Sequence, residues 1–227
     1  MFGTIVNTVA IIVGGFIGTI FNKNLPQRYQ TIIFQGIGLF IAALGVSMAI
    51  KTERVLISVF SLLLGGLTGE FFKLDKQINA LGEWLKRILR FKSERFTAGF
   101  VSASLIYCIG AMAILGAIEE GTGHYPAILL TKSVMDGFSS VAFAAALGVG
   151  VIFSAASVAV YQGGITLMIL LFADSVDAAI VNELSAVGGI LLIGLGINIL
   201  EIKDIKVVNL LPALVFVVLM MLIFVKN

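Results

Sequence analysis

Long apolar runs separated by short polar connections fill almost the whole chain. They are Gly3 to Phe21, Thr31 to Ile50, Val55 to Phe72, Thr97 to Ala117, Ala127 to Phe172, Leu184 to Leu200 and Val207 to Val225. Most are close to the roughly 20 residues of helix that cross a bilayer. The run Ala127 to Phe172 has room for two crossings, divided near Gly148-Val149-Gly150. None shows barrel-type alternation, and a spanning segment must pair its own backbone amides, so the runs predict helices. The expected fold is all-α, a polytopic transmembrane helical bundle of about eight spans.

One stretch breaks the pattern. Between Lys73 and Phe96, Leu74, Ile78, Leu81, Leu85 and Ile88 recur every three or four residues, with basic residues between them. That spacing predicts an amphipathic helix lying on the membrane surface with Trp84 at the interface, or else a cytosolic helix that packs on a partner.

Lys and Arg in the connections set the orientation. With residues 73–96 in the cytoplasm, the inner side carries eleven basic residues and the outer side three, and both termini are outside. A seven-span alternative, with Ala127 to Phe172 crossing once, gives ten against four, so the charge pattern favours eight. The first run begins at Phe2 with no basic segment before it, and it reads as a retained span rather than a cleaved leader.

The second and seventh runs resemble each other. Shifted by 151 residues, Gly38 meets Gly189, Leu44 meets Leu195, Gly45 meets Gly196 and Ser47 meets Asn198. Upstream of each lies a glycine pair, Gly14-Gly15 in the first run and Gly163-Gly164 in the sixth. Spans one to three therefore resemble spans six to eight, and in an eight-span chain the two triplets point opposite ways. Inverted repeats of this kind are a building plan of secondary transporters, whose site lies near the midplane. The corresponding division is 1–72 (repeat one), 73–96 (surface helix), 97–149 (spans four and five) and 150–227 (repeat two).

Composition agrees: 59% of the 227 residues are hydrophobic and 12% charged, against about a quarter charged in soluble domains. A formal net charge of +2 gives no ground for nucleic-acid binding. The single cysteine, Cys108, excludes a disulfide framework.

Several segments carry a family resemblance: GTIVNTVAIIVGG at the N-terminus, the basic helix after the third run, IGAMAILGAIEEG, and KSVMDGFSSVAFAAALGVGV followed by YQGG. Together the chain resembles the domain-of-unknown-function family 554, the YdfK/YqgA-type bacterial inner-membrane proteins. The resemblance implies a multi-span protein of a bacterial or archaeal cytoplasmic membrane, loosely described as a transporter. It supplies no substrate and no catalytic residue.

The candidate chemistry centres on Lys132 and Asp136, one helical turn apart in the fifth span. Ionisable groups inside a membrane segment are costly and by default functional. Asp136 lies nine residues beyond Ala127, roughly 13 Å along a helix. The pair could bind a cation, proton or anion, or form a buried clamp. If the span began only at Phe138, both would sit at the surface. Ser139 and Ser140 follow a possible helix break at Gly137. Gln162 and Asn7, each ahead of a glycine pair, and the repeat-related Ser47 and Asn198 complete the candidate solute-binding set. Glu119, Glu120 and His124 form an acidic turn, read as a solvated loop or a surface cation site. Gly14/Gly18 and Gly65/Gly69 have the spacing for close helix packing, within the chain or in a homodimer.

No nucleotide-phosphate loop is present, and the lone histidine precludes the zinc-protease pair. The chain is expected to be a non-enzyme without cofactor, moving a small ion or polar metabolite. The rival is a membrane scaffold whose basic helix recruits a cytosolic partner.

Overall fold

A computed structural model describes residues 1–22, 27–88, 95–109, 111–172 and 178–224. All regular elements among these are helices: α1 (Phe2–Asn22), α2 (Gln27–Ala49), α3 (Val55–Phe72), α4 (Leu74–Ile88), α5 (Phe96–Cys108), α6 (Ala111–Gly121), α7 (Ala127–Leu147), α8 (Gly150–Phe172), α9 (Ala178–Ile199), α10 (Val207–Leu210) and α11 (Ala213–Phe224). Six segments are long and apolar enough to cross a membrane: α1, α3, α7, α8, α9 and the stretch Val207–Phe224. Helices α5 and α6, bent by 61° at their break, add a seventh if the pair crosses as one span and none if it forms a re-entrant loop. The apolar part of α2, Gln35–Ala49, is shorter than these.

Each run of the hydropathy pattern is thus helical, but two are broken where a single span was expected. The fourth bends after Cys108. The eighth is interrupted at Leu211-Pro212, because proline cannot continue a helix without losing a backbone hydrogen bond. The break expected at Gly137 does not occur: α7 runs through it without interruption.

Two compact units make up the chain. The first comprises Met1–Phe34 and Leu81–Ser175, the second Gln35–Ala80 and Val176–Asn227. Both cut across the linear division into repeats.

In the first unit α1 and α7 run parallel in close contact. A Cβ on Gly14 would stand 2.1 Å from the Gly137 carbonyl oxygen, and one on Gly18 2.2 Å from that of Val141. Only glycine allows the two backbones this near. Helix α8 lies antiparallel to α1, with Gly15 against Ile152 and Gly163 against Thr4, while α5 and α6 follow α8.

The second unit is built from the 35–49 part of α2 with α3, α9, α10 and α11. Here α2 and α9 cross antiparallel, Gly38 against Gly196 and Gly45 against Gly189. Gly65 and Gly69 of α3 receive Ala213 and Asn209. Both GxxxG faces are therefore filled within the chain.

The helices are inside-out by the standard of soluble proteins. On α1 the buried positions include Thr4, Asn7, Gly14 and Gly18, whereas Phe2, Ile5, Val9, Ile12, Phe16 and Ile20 face outward. On α3, Ser58, Ser61, Gly65 and Gly69 are buried, with Leu56, Phe60, Leu63, Leu67 and Phe71 exposed. Outward apolar surface on this scale fits a lipid solvent, where small and polar residues mediate helix contacts.

Helix α4 carries Asp75 in its first turn and Lys86 and Arg87 in its last, as the helix dipole favours. Trp84 and Ile88 are exposed. The Thr97 hydroxyl donates to Glu83 at 2.7 Å, tying α4 to α5, and that bond holds the Glu83 carboxyl below its usual range. The side chains of Leu81 and Leu85 in the predicted apolar stripe lie outside the described residues, as do Lys23, Arg90, Lys92 and Lys226 of the charge pattern.

Candidate functional site

Helix α7 organises the first unit. Its buried positions include Leu129, Lys132, Ser133, Asp136, Ser140, Phe143 and Leu147, at steps of one, three and four residues, the period that keeps side chains on one helical face. Val134, Met135 and Phe138 point outward. Lys132 and Asp136 are therefore buried among helices, 6% and 8% exposed, and the start of the span at Phe138 is ruled out as a helix boundary.

Lys132 Nζ donates to Asp136 Oδ2 as a buried ion pair. Asn7 Nδ2 on α1 donates to the same Asp136 oxygen at 3.0 Å and to Gln162 Oε1 on α8 at 3.2 Å. Gln162 Nε2 in turn donates to Thr4 Oγ1 at 3.3 Å. The Thr4 hydroxyl donates to Glu120 Oε2 on α6 at 2.8 Å. One unbroken line of hydrogen bonds thus joins two buried carboxylates, Asp136 and Glu120, through four helices. At the Asp136 end the Tyr107 and Ser140 hydroxyls lie 2.7 Å apart, and the Tyr107 ring centre is 5.9 Å from Lys132 Nζ, at the limit of a cation–π contact.

Glu120 holds the other end. It accepts from the Gly3 amide at 2.5 Å and from Thr166 at 3.5 Å, and the terminal amine of Met1 is 3.4 Å away. A carboxylate at a helix N-terminus satisfies amides that have no intrahelical partner. Its neighbour Glu119 does the same for α7, accepting from the Ile128 amide at 2.9 Å. The acidic turn is therefore not a solvated loop: its two glutamates fasten the starts of the parallel helices α1 and α7. His124 lies apart from both carboxylates in this respect, its Nδ1 paired with the Thr122 hydroxyl at 2.9 Å. Among the described residues no cluster of three metal-ligating side chains occurs.

Of the eight candidate residues, Lys132, Asp136, Asn7, Gln162 and Ser140 are gathered in this one place. Ser139 bonds back to the Asp136 carbonyl at 3.1 Å and also reaches the Tyr107 hydroxyl, bordering the same place. Ser47 and Asn198 belong to the second unit. Ser47 bonds to the Leu44 carbonyl of its own helix. Asn198 clamps the connection after α9 through the Ile205 carbonyl and amide, both at 2.7 Å. Thr4, Tyr107 and Thr166 had no distinguishing sequence signal, since single hydroxyls are common, and Glu120 stood out only as part of the acidic turn.

The second unit has its own buried carboxylate. Glu183, one residue ahead of the predicted run Leu184 to Leu200, lies inside α9 at 1% exposure. It accepts from the Thr52 hydroxyl at 2.6 Å, the amides of Glu53 and Arg54 at 2.7 and 3.1 Å, and the Ser58 hydroxyl at 3.2 Å. All four donors lie on the α2–α3 connection and the start of α3, where Asn182 also donates to the Lys51 carbonyl, so Glu183 serves as a cap rather than an open site.

The model of the protein-of-unknown-function family DUF554 matches residues 2–222. The chain belongs to that family. It is 35% identical over 218 residues to the uncharacterized membrane protein YdfK of Bacillus subtilis, covering 94% of this chain and 93% of the relative. It is 30% identical over 217 residues to the uncharacterized protein YqgA of Escherichia coli, covering 93% and 92%. No solved structure matches. Family membership and the apolar helices together make this DUF554 chain a multi-pass membrane protein.

Proposed function

We propose that this DUF554 protein is a secondary transporter or channel for a small ion or polar metabolite, with its site on the Lys132–Asp136–Asn7–Gln162 line of the first unit. The observation that carries this reading is the buried polar line itself, running through four helices whose outer faces are apolar. A structural clamp needs the ion pair alone. The line adds two amides and a second carboxylate, at a cost in desolvation that a clamp would not require. No chemical step is involved, in keeping with a non-enzyme that uses no cofactor.

The packing of the second unit supports an inverted repeat. Gly38 and Gly189 are equivalent under the 151-residue shift, as are Gly45 and Gly196. Exchanging equivalents turns the contact of Gly38 with Gly196 into the contact of Gly189 with Gly45, and both are present. Ser61, Gly65 and Gly69 on α3 and Ala213, Val217 and Met221 on α11, related by a shift of 152, are buried in the same way. A two-fold relation accounts for both.

Flux into proteoliposomes across a panel of ions and polar metabolites tests the reading. Wild type should move at least one, and Asp136→Asn, reconstituted to the same folded amount, should lower that flux at least tenfold. Unchanged flux in the variant would remove Asp136 from the site.

The orientation we propose places α4 in the cytoplasm of a bacterial or archaeal cell and both termini outside. A C-terminal alkaline phosphatase fusion is then active and a C-terminal green fluorescent protein fusion dark; the reverse pattern inverts the topology. Homodimerisation belongs to the same proposal, and native mass spectrometry would read a single-chain mass if it is wrong.

The exposed Trp84 and Ile88 favour one second reading, a scaffold that presents α4 to a cytosolic partner. The two differ in where α4 lies. As the only tryptophan, Trp84 reports this directly: brominated lipids should quench its fluorescence if α4 rests on the bilayer, and leave it bright if α4 stands in water.

A further inference from the structure

The hydrogen-bonding inventory of the polar line is lopsided. Its donor groups are all engaged: Lys132 Nζ on Asp136, Asn7 Nδ2 on Asp136 and Gln162, Gln162 Nε2 on Thr4, and the Thr4 hydroxyl and Gly3 amide on Glu120. One acceptor is left over among the described residues. Asn7 is fully buried, and its Oδ1 has no hydrogen-bond partner. Both contacts to Asp136 fall on Oδ2. A buried carbonyl without a donor costs about 1–3 kcal/mol, so this atom calls for a donor or a positive charge.

Its charge points the same way. The line holds two buried carboxylates, Asp136 and Glu120, against one buried ammonium, Lys132. The terminal amine of Met1, 3.4 Å from Glu120 Oε1, pairs with the second of these carboxylates. An anion placed here would face two buried carboxylates, Asp136 and Glu120.

We propose that the ligand of this site is a monovalent cation, an alkali-metal or ammonium ion, held between Asn7 Oδ1 and the Asp136 carboxylate, and that the Lys132 ammonium is the tethered counter-ion it displaces. A singly charged ion replaces one ammonium at Asp136 and adds one charge to the buried site, whereas a divalent ion would add two. The displaced ammonium has somewhere to go: the Tyr107 ring already lies 5.9 Å from it, and an aromatic face attracts a desolvated cation. In the described structure Lys132 holds the carboxylate that the cargo would take, without reaching Asn7 Oδ1.

This assignment names the cargo class of the transport reading above, but binding can be measured without transport. The test is the thermal-unfolding midpoint of the full chain in detergent, in lithium, sodium, potassium and ammonium chlorides. The baseline is N-methylglucamine chloride at equal ionic strength, with magnesium chloride and neutral polar solutes alongside. At least one monovalent ion should raise the midpoint above baseline. Lys132→Gln, which removes the competitor, should lower the concentration giving half the shift by tenfold or more. Asn7→Ala should abolish the shift. If Asn7→Ala does not fold, Lys132→Gln decides. The assignment is overturned if no monovalent ion exceeds baseline in either wild type or Lys132→Gln, or if Lys132→Gln leaves the half-shift concentration unchanged. The two readings fail separately. A cation shift without flux of any solute ends the transport reading alone; Asp136-dependent flux of an anion or neutral solute without a cation shift ends this one alone.

Discussion

Asp136→Asn should destabilise the first unit more than any other single isosteric change in it, and adding Lys132→Met should restore much of the loss. Asp136 Oδ2 is where the Lys132 ammonium and the Asn7 amide meet. Neutralising it strands a buried ammonium, and breaking one partner of a buried pair costs on the order of 3–5 kcal/mol. Lys132→Met alone strands the carboxylate and should cost a similar amount in cation-free buffer. With both charges gone, an apolar side chain of similar length takes the lysine's place beside Tyr107. A double-mutant cycle on unfolding in detergent measures the coupling directly. Additive losses would show that the two charges do not act as a pair.

The second large effect is expected from α1. Gly14→Ala or Gly18→Ala would put a Cβ 2.1 or 2.2 Å from a carbonyl oxygen of α7. Backbone cannot swing aside as a flexible side chain can, so the helices must separate. Overpacking of this kind costs about 1–3 kcal/mol per site, sometimes more. Function should suffer further, because Asn7 is carried on the same helix and its 3.0 Å contact with Asp136 depends on that approach. Gly164→Ala is the matched control. A Cβ there meets nothing within 4 Å, and alanine is the better helix former. Unfolding midpoints should drop for both α1 variants and hold or rise for Gly164→Ala. Equal behaviour at the three positions would mean that the α1–α7 contact does not bear on stability.

What the sequence could and could not reveal follows from how local each signal is. Lys132 and Asp136 declared themselves because one helical turn separates them and every flanking residue is apolar. Asn7 and Gln162 were legible as lone amides ahead of glycine pairs. That they touch each other, 155 residues apart, was not, since nothing local pairs α1 with α8. Glu120 was misread for the same reason. A glutamate beside Gly-Thr-Gly looks solvated until the start of α1 is seen to rest on it. Glu183 sat one residue ahead of the run that marked its span, and only the bare amides at the start of α3 account for its burial. Pro212 was a plain breaker signal inside the last run, outweighed by the apolar residues on both sides. The bend after Cys108 has no such marker among the described residues.

The carboxylate cap on α1 has a consequence for how the chain is made. Gly3 waits for a partner 117 residues downstream, and Asn7 for partners 129 and 155 downstream. Helix α1 must therefore rest in or beside the insertion machinery with its polar groups unsatisfied until α6, α7 and α8 arrive. Meanwhile α3 awaits Glu183, 125 residues beyond Ser58. Neither unit can close before most of the polypeptide has been synthesised. Truncations that end before α8 should accordingly be cleared by membrane proteases rather than persist as partly folded fragments, which makes late quality control, not early helix insertion, the step at which this protein is most exposed to loss.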